Sequence, residues 1–317
     1  MSRGGPIVAL SVSDGPDLPR FGYLDHHLRQ VLNALLIELL RGDLRIGYGG
    51  DLRRSGYTRE LFDALTAAYA KSRLVADGWP AIVHYFAYSS WCDVDPAELL
   101  DHLALLGTVA ETRFVDVAGE YLAVFSTEDG LRRIVSPAGD SHAMGADELV
   151  GELASIRARS GTPSAGDALA AMRRTMAGET ILRVVASGKV AGYQGRMPGI
   201  VEEALLHAEA GRLIVALGAF GGAARDAAIA LGLLDEDARV SHTEVGAGYD
   251  AALAELCGLA GMHRERAEEV GTWADLQMLS EADDPMAIAT GVVRIAGRTG
   301  SPDALACGLT PTLLPSR

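Results

Sequence analysis

The sequence predicts an α/β protein: an open, mostly parallel sheet flanked by helices, followed by an extension that is helical only. Three observations predict it. Short apolar runs bounded by turn residues alternate with amphipathic stretches of helical spacing, which is the pattern of βα units around a buried sheet. Three of the apolar runs end in glycine-bearing turns. From about Asp235 the strand-like runs stop and only helical spacing continues. The expected division is therefore 1–234 for the α/β part and 235–317 for the helical extension.

In chain order, Pro6–Val12 is the first strand, and Leu24–Leu40 is a helix with Leu28, Val31, Leu32, Leu35, Leu36, Leu39 and Leu40 on one face. Leu44–Tyr48 is a second strand, Arg59–Ala70 a second helix and Ala81–Ala87 a third strand rich in aromatic and β-branched residues. A fourth strand is expected over Glu111–Val117 and a helix over Asp147–Arg159. The breaker cluster Arg159–Asp167 separates the two halves of the sheet. Beyond it come a helix at Ala168–Ala177, a strand at Ile181–Ser187, a helix from Gly199 to Ala210, a strand at Leu213–Leu217 and a helix at Ala223–Leu231. The extension carries helical spacing over Tyr249–Leu259 and Met262–Leu279, and the last dozen residues are expected to be loosely held.

Composition narrows the function. The 317 residues are 49% hydrophobic, and 28 Lys and Arg against 42 Asp and Glu give a formal net charge of −14. Only Lys71 and Lys189 are lysines. An acidic chain without a broad basic face does not suit extended nucleic acid, so any phosphate must be held by a few placed arginines. The absence of a long apolar stretch argues against a membrane span, and the N-terminal run is too short and polar for a signal peptide. Cys92, Cys257 and Cys307 are odd in number and widely spaced, which points to a reducing cytoplasm rather than a disulfide framework. No motif calls for a metal or another cofactor.

The three glycine turns are Gly47–Thr58, Gly192–Gly199 and Gly218–Gly222. In an open α/β sheet, ligands bind beyond the carboxyl ends of the strands, where glycine lets backbone N–H groups approach an anion. Glycine in a βα turn also serves turn geometry alone. Arg53 and Arg196 stand beside these turns as candidate phosphate forks, with Ser11, Ser13, Gly49, Gly50, Asp51, Thr58, Gln194, Pro198, Gly199, Gly221 and Gly222 as further ligand-binding candidates. Glu202 and Glu203 open a helix, where they either complement its dipole or accept hydrogen bonds from ribose hydroxyls. Of Arg173 and Arg174, one should point along the sheet edge while the other is solvated. His26 and His27 either approach a ligand at the end of the first strand or serve as caps and surface groups, and His84 reads as a hydrogen-bonded core residue.

Ile7–Asp14, Tyr48-Gly-Gly-Asp-Leu-Arg53 with Gly56–Thr58, Arg174 to Met176, Pro198-Gly199 with Glu203, and Phe220-Gly-Gly222 together resemble the SLOG superfamily. That group is Rossmann-like and includes LOG-type phosphoribohydrolases, Smf/DprA proteins and nucleotide-derivative sensors of bacterial conflict systems. The resemblance covers roughly residues 5 to 232, and it is nearest to the sensor-type branch. It implies binding of a nucleotide or nucleotide-derived small molecule, in a homodimer or higher homo-oligomer, with a separate effector protein as a possible partner. The LOG branch implies an alternative, cleavage of a nucleotide by a catalytic pair aligned with Arg174 and Glu203. Two departures from that branch stand out: Asp51 replaces the third glycine of its first loop, and Pro198–Glu203 lacks the part that wraps a monophosphate. Both favour a ligand with exposed ribose hydroxyls, such as an ADP-ribose derivative.

Overall fold

A computed structural model describes residues 5–13, 15, 17–50, 79–135, 140–193 and 195–300. The expected helix Arg59–Ala70 and the last dozen residues lie outside them. Among the described residues nine strands form one sheet: β1 (Ile7–Ser13), β2 (Arg45–Gly49), β3 (Ile82–Ala87), β4 (Ala110–Val115), β5 (Tyr121–Thr127), β6 (Gly130–Ile134), β7 (Ser141–Met144), β8 (Leu182–Ser187) and β9 (Leu213–Leu217). Their order is β7-β6-β5-β4-β3-β2-β1-β8-β9. The six strands from β4 to β9 across this order pair in parallel, and β5, β6 and β7 add antiparallel hairpins beyond β4.

The described helices are α1 (Asp25–Arg41), α2 (Tyr88–Trp91), α3 (Pro96–Leu106), α4 (Ala146–Ser160), α5 (Ala165–Glu179), α6 (Gly199–Glu209), α7 (Gly222–Ala230), α8 (Tyr249–Gly258), α9 (Ala260–Glu269), α10 (Trp273–Glu281) and α11 (Pro285–Thr299). Strand β1 is buried on both faces because alternate side chains meet different helices. Ile7 and Ala9 pack with Met172 and Met176 of α5, while Val8 and Leu10 belong to the cluster built on α1 and α11. Burying each methionine contributes about 1.5–3 kcal/mol. A Cβ at Gly49 would sit 3.0 Å from Met172 Cε, so the bare backbone of β2 is what lets α5 lie this close.

Helix ends follow local chemistry. Ser164 Oγ accepts the Asp167 N–H at 3.1 Å, which starts α5 before the expected Ala168. Asp95 and Asp284 cap α3 and α11, each followed by a proline in the first helical turn. His27 Nδ1 accepts the Leu24 N–H at 2.9 Å, so this histidine is a cap for α1. The helix expected over Met262–Leu279 is two, α9 and α10, because Gly271 takes a left-handed conformation (φ 67°) and the chain turns there.

The segment beyond Asp235 does not stand apart from the sheet. Tyr249, Leu253, Leu276, Leu279, Ile288 and Val292 lie in the same buried cluster as β1, β8 and β9. At the edge of the sheet, β9 turns the Ile214 N–H outward to His263 Nε2 of α9 at 3.0 Å, which answers an amide that would otherwise invite another strand. Among the described residues, no helix is long and apolar enough to cross a membrane.

Candidate functional site

Strand order reverses between β1 and β8: the chain runs outward through β2, β3 and β4, then returns to the other side of β1. Such a crossover leaves a crevice outside the strand carboxyl ends. Here Ser13 pairs with Ser187, and the backbone following each strand is packed tightly. A Cβ at Gly15 would lie 1.9 Å from Ser187 Oγ, and one at Gly222 would lie 2.5 Å from the Gly188 carbonyl oxygen. The Ala223 N–H donates to that same carbonyl at 3.1 Å. Ser187 is fully buried with φ 57°, and its hydroxyl has no hydrogen-bond partner among the described residues. A non-glycine residue held left-handed at this point stores strain of the order of 1–3 kcal/mol.

A cavity of about 670 Å³ opens beside this crossover, with Gly15, Asp17, Arg20, Lys189 and His242 on its wall. Asp17 Oδ2 accepts the Gly222 N–H at 3.3 Å and faces His242 Nδ1 at 3.3 Å. The other imidazole nitrogen lies 2.7 Å from Asp226, which also accepts the Tyr249 hydroxyl at 2.5 Å. Burial, with the Asp226 carboxylate beside it, pushes the Tyr249 hydroxyl far above its usual range, so it stays a donor. His242 thereby ties the segment between α7 and α8 to the loop after β1. Further bonds hold that segment in place: Arg20 donates to the Ser241 carbonyl at 2.9 Å, Gly246 N–H to the Val190 carbonyl at 2.8 Å, and the Tyr193 hydroxyl to the Ala247 carbonyl.

A second cluster lies on the sheet face covered by α5 and α6. Glu203 accepts from the Ser11 hydroxyl, from Arg183 Nη1 and, at 3.1 Å, from Arg173 Nε. Arg173 also pairs with Glu202, and Arg183 Nη1 donates to Ser11 Oγ. Burial alone would raise the Glu203 pKa, but Arg183 and Arg173 outweigh it and hold the carboxyl below its usual range. Glu202 goes the other way, pushed up by burial against the pull of Arg173. His207, beside Arg183, is pushed well below the ordinary histidine range by burial and by that guanidinium.

The expected residues divide between these places. Glu202, Glu203 and Gly199 meet around Arg173, Ser11 joins them through Glu203 and Arg183, and a Cβ at Gly199 would approach Arg173 Nη2 to 2.8 Å. It is Arg173, not Arg174, that reaches the glutamates; Arg174 is exposed on the outer side of α5. The difference is one helical step of 100°, which a doublet of arginines does not reveal. Gly221 and Gly222 (φ 69° and 62°) stand at the crossover with Ser13, Gly222 giving its N–H to Asp17 rather than leaving it open. Gly49 lies under Met172, and the Gly50 carbonyl faces His84 Nε2 at 3.1 Å. Arg196 is exposed and pairs with Asp167, next to Pro198, which precedes α6. Asp51, Arg53, Thr58 and Gln194 lie outside the described residues.

Sequence reasoning missed Asp17, Arg183, Ser187, Lys189, Asp226 and His242. Ser187-Gly188 at the end of a strand run was a visible signal; His242, in a segment without periodicity, offered none.

No curated protein and no solved structure matches the chain. A family model described as SLOG cluster2 matches residues 4–272, which takes in the whole sheet together with α8 and α9. With the greater part of its length matched, the chain belongs to the SLOG cluster2 family.

Proposed function

We propose that the protein binds a nucleotide or nucleotide-derived small molecule, an adenine nucleotide or an ADP-ribose-like compound, as a sensor in bacterial signalling or defence. The observation that carries this reading is the cavity at the β1/β8 crossover, whose volume of about 670 Å³ falls in the range of small-molecule sites. Its wall is of mixed sign. Arg20 and Lys189 suit a phosphate, while Asp17 suits ribose hydroxyls, with Oδ2 held by Gly222 and His242. Arg53 and Arg196, the arginines proposed from the turns, are further candidates for the phosphate. The protein acts as a homodimer or higher homo-oligomer and passes its signal to a separate effector.

Calorimetry with AMP, ADP-ribose and cyclic ADP-ribose isomers tests this. Wild type should bind at least one of them, and Lys189→Ala or Arg53→Ala should weaken that binding by about tenfold or more, the loss of one charge-assisted hydrogen bond. A wild-type protein that binds none of the panel removes the reading.

One observation favours a second reading, cleavage of a nucleotide. An arginine from α5 and a glutamate from α6 do meet, as Arg173 and Glu203. In this reading Glu203, with Arg173 in place of Arg174, stabilises the oxocarbenium-like centre as the base departs. Release of free adenine from AMP by wild type, lost in a Glu203→Gln protein that circular dichroism shows to be still folded, would establish it. An unchanged chromatogram would leave binding alone.

A further inference from the structure

Four residues on the wall of the crossover cavity, Ser241, His242, Thr243 and Glu244, come from the connection between α7 and α8 and share that wall with residues 189–192 of the loop after β8. The connection is anchored at both ends. Ala238 packs against the main buried cluster and its carbonyl accepts from Arg225 Nε at 2.8 Å, while Tyr249, the first residue of α8, is buried. Between these anchors the holding is polar. No side chain from residues 239–248 belongs to a buried apolar cluster of the described residues, and Thr243, Glu244 and Val245 are exposed.

Hydrogen bonds keep this stretch down, each contributing about 0.5–1.5 kcal/mol. Arg20 holds the Ser241 carbonyl and Tyr193 the Ala247 carbonyl, both at exposed positions, and the Val190 carbonyl holds the Gly246 N–H. The Tyr193 ring covers the Gly246 backbone so closely that a Cβ there would lie 2.3 Å from Cε1. His242 is tied differently: its side chain is 10% exposed, and its two ring nitrogens face carboxylates from two elements, Asp17 after β1 and Asp226 of α7. Next to Tyr249, Gly248 takes a left-handed conformation (φ 84°) that gives the stretch a turning point without a Cβ.

From this arrangement we infer that residues 239–248 form a strap that opens as a unit and closes on a ligand in the crossover cavity, with His242 as its latch. Segments held by exposed hydrogen bonds and few apolar contacts open locally at far lower free energy than the sheet beneath them. Anchors at Ala238 and Tyr249 confine the opening to the stretch between them, and the cavity wall moves with it. A ligand reaching from Lys189 to Thr243 or Glu244 touches both the loop after β8 and the strap, so it binds the closed form more tightly than the open one and draws the strap shut. Closure on a ligand depends on the binding proposed above, whereas the strap and its latch depend on these contacts alone.

Amide hydrogen exchange on the full chain, followed by NMR at Gly246, tests the inference. In the free protein, Gly246 should exchange at least about a hundredfold faster than the amides of β8, each taken against its intrinsic rate. His242→Ala should speed Gly246 by a further tenfold or about that, and Tyr193→Phe, which removes one exposed hydrogen bond and touches no core group, by about fivefold, with β8 unchanged in both. The member of the panel AMP, ADP-ribose and cyclic ADP-ribose that calorimetry shows to bind, supplied at about ten times its dissociation constant, should slow Gly246 in wild type by about tenfold. Exchange at Gly246 as slow as in β8, or unmoved by both variants, would overturn the strap. A bound nucleotide that leaves Gly246 unchanged would overturn closure while the binding itself stands. If none of the panel binds, closure falls together with the proposed function, and the two variants alone decide the strap.

Discussion

The carboxylate of Asp17 lies 3.3 Å from the backbone nitrogen of Gly222, so the first amide of α7 is already answered by an anion from the loop after β1. Glycine-rich helix starts at a sheet edge usually suggest a vacant phosphate cradle. Here Asp17 takes that place and, through His242, draws the segment before α8 over the same edge. Asp17→Ala should lower the unfolding free energy by about 1–2 kcal/mol, because the cap and its favourable place at the helix N-terminus are both lost. Asp17→Asn keeps an acceptor for the amide and should lose less. Urea denaturation of the two variants measures the difference; an Asp17→Ala protein as stable as wild type would mean that the cap contributes nothing.

Ser187 offers a change that should stabilise the protein. Its left-handed backbone and its buried, unpartnered hydroxyl both cost free energy, and glycine removes both. The greater freedom of glycine in the unfolded chain offsets part of the gain. Ser187→Gly should therefore raise stability by about 0.5–1 kcal/mol, read as a higher melting temperature. A fall in melting temperature would show that the hydroxyl has a partner in solution. If the same variant also binds ADP-ribose less well, the strain is held for the ligand's sake.

How far these features could be read from the sequence depends on how local their causes are. Strand β9 is an unbroken apolar run, and β1 and β8 are apolar but for Ser11 and Ser13 in one and Arg183 and Ser187 in the other, because both faces are buried; α1 shows its face through seven leucines and valines at helical spacing. β6 reads Gly-Leu-Arg-Arg-Ile and β7 Ser-His-Ala-Met; both lie toward a solvated edge, so neither has an apolar run to betray it. Helices α3 and α11 were not expected from the sequence, although an aspartate-proline pair opens each. Glu203 was recognisable as a candidate, but its partners were not all so. Arg183 sits within a strand run, and the choice between Arg173 and Arg174 is set by the phase of α5 against α6. Asp17 and His242 are 225 positions apart in the chain and meet only because β1 and β8 are neighbours.

The paired glutamates of α6 should give opposite responses to pH. Glu203 has a depressed pKa in the folded protein, so its contribution is complete above the ordinary carboxylate value and is lost as pH falls through the folded value. Glu202 has a raised pKa, so its protonated form favours folding and stability declines as pH rises through that range. Glu203→Gln leaves Arg183 buried without its charge partner and should cost about 3–5 kcal/mol near neutrality, with a flatter acid limb. Glu202→Gln should instead flatten the decline on the alkaline side. Denaturation profiles from about pH 3 to pH 8 for the two variants separate these effects; parallel profiles would refute the opposed shifts.

His263 closes the β9 edge in a way that acid should undo. Its Nε2 accepts the Ile214 N–H, so the neutral ring must carry its proton on Nδ1. Burial lowers its pKa from 6.5 to about 4. Its share of the stability is therefore full above the unfolded histidine value and is lost as pH falls through about 4, where protonation turns the acceptor into a donor facing an N–H. His263→Ala should cost about 1–3 kcal/mol at neutral pH by leaving the buried amide unanswered, and that cost should shrink on acidification. Hydrogen exchange at Ile214 gives the residue-level check: its amide should be protected in wild type at neutral pH, and its protection factor, taken against the intrinsic rate at each pH, should fall in His263→Ala and in wild type near pH 4. Protection unchanged in the variant would mean that α10 alone shields the edge.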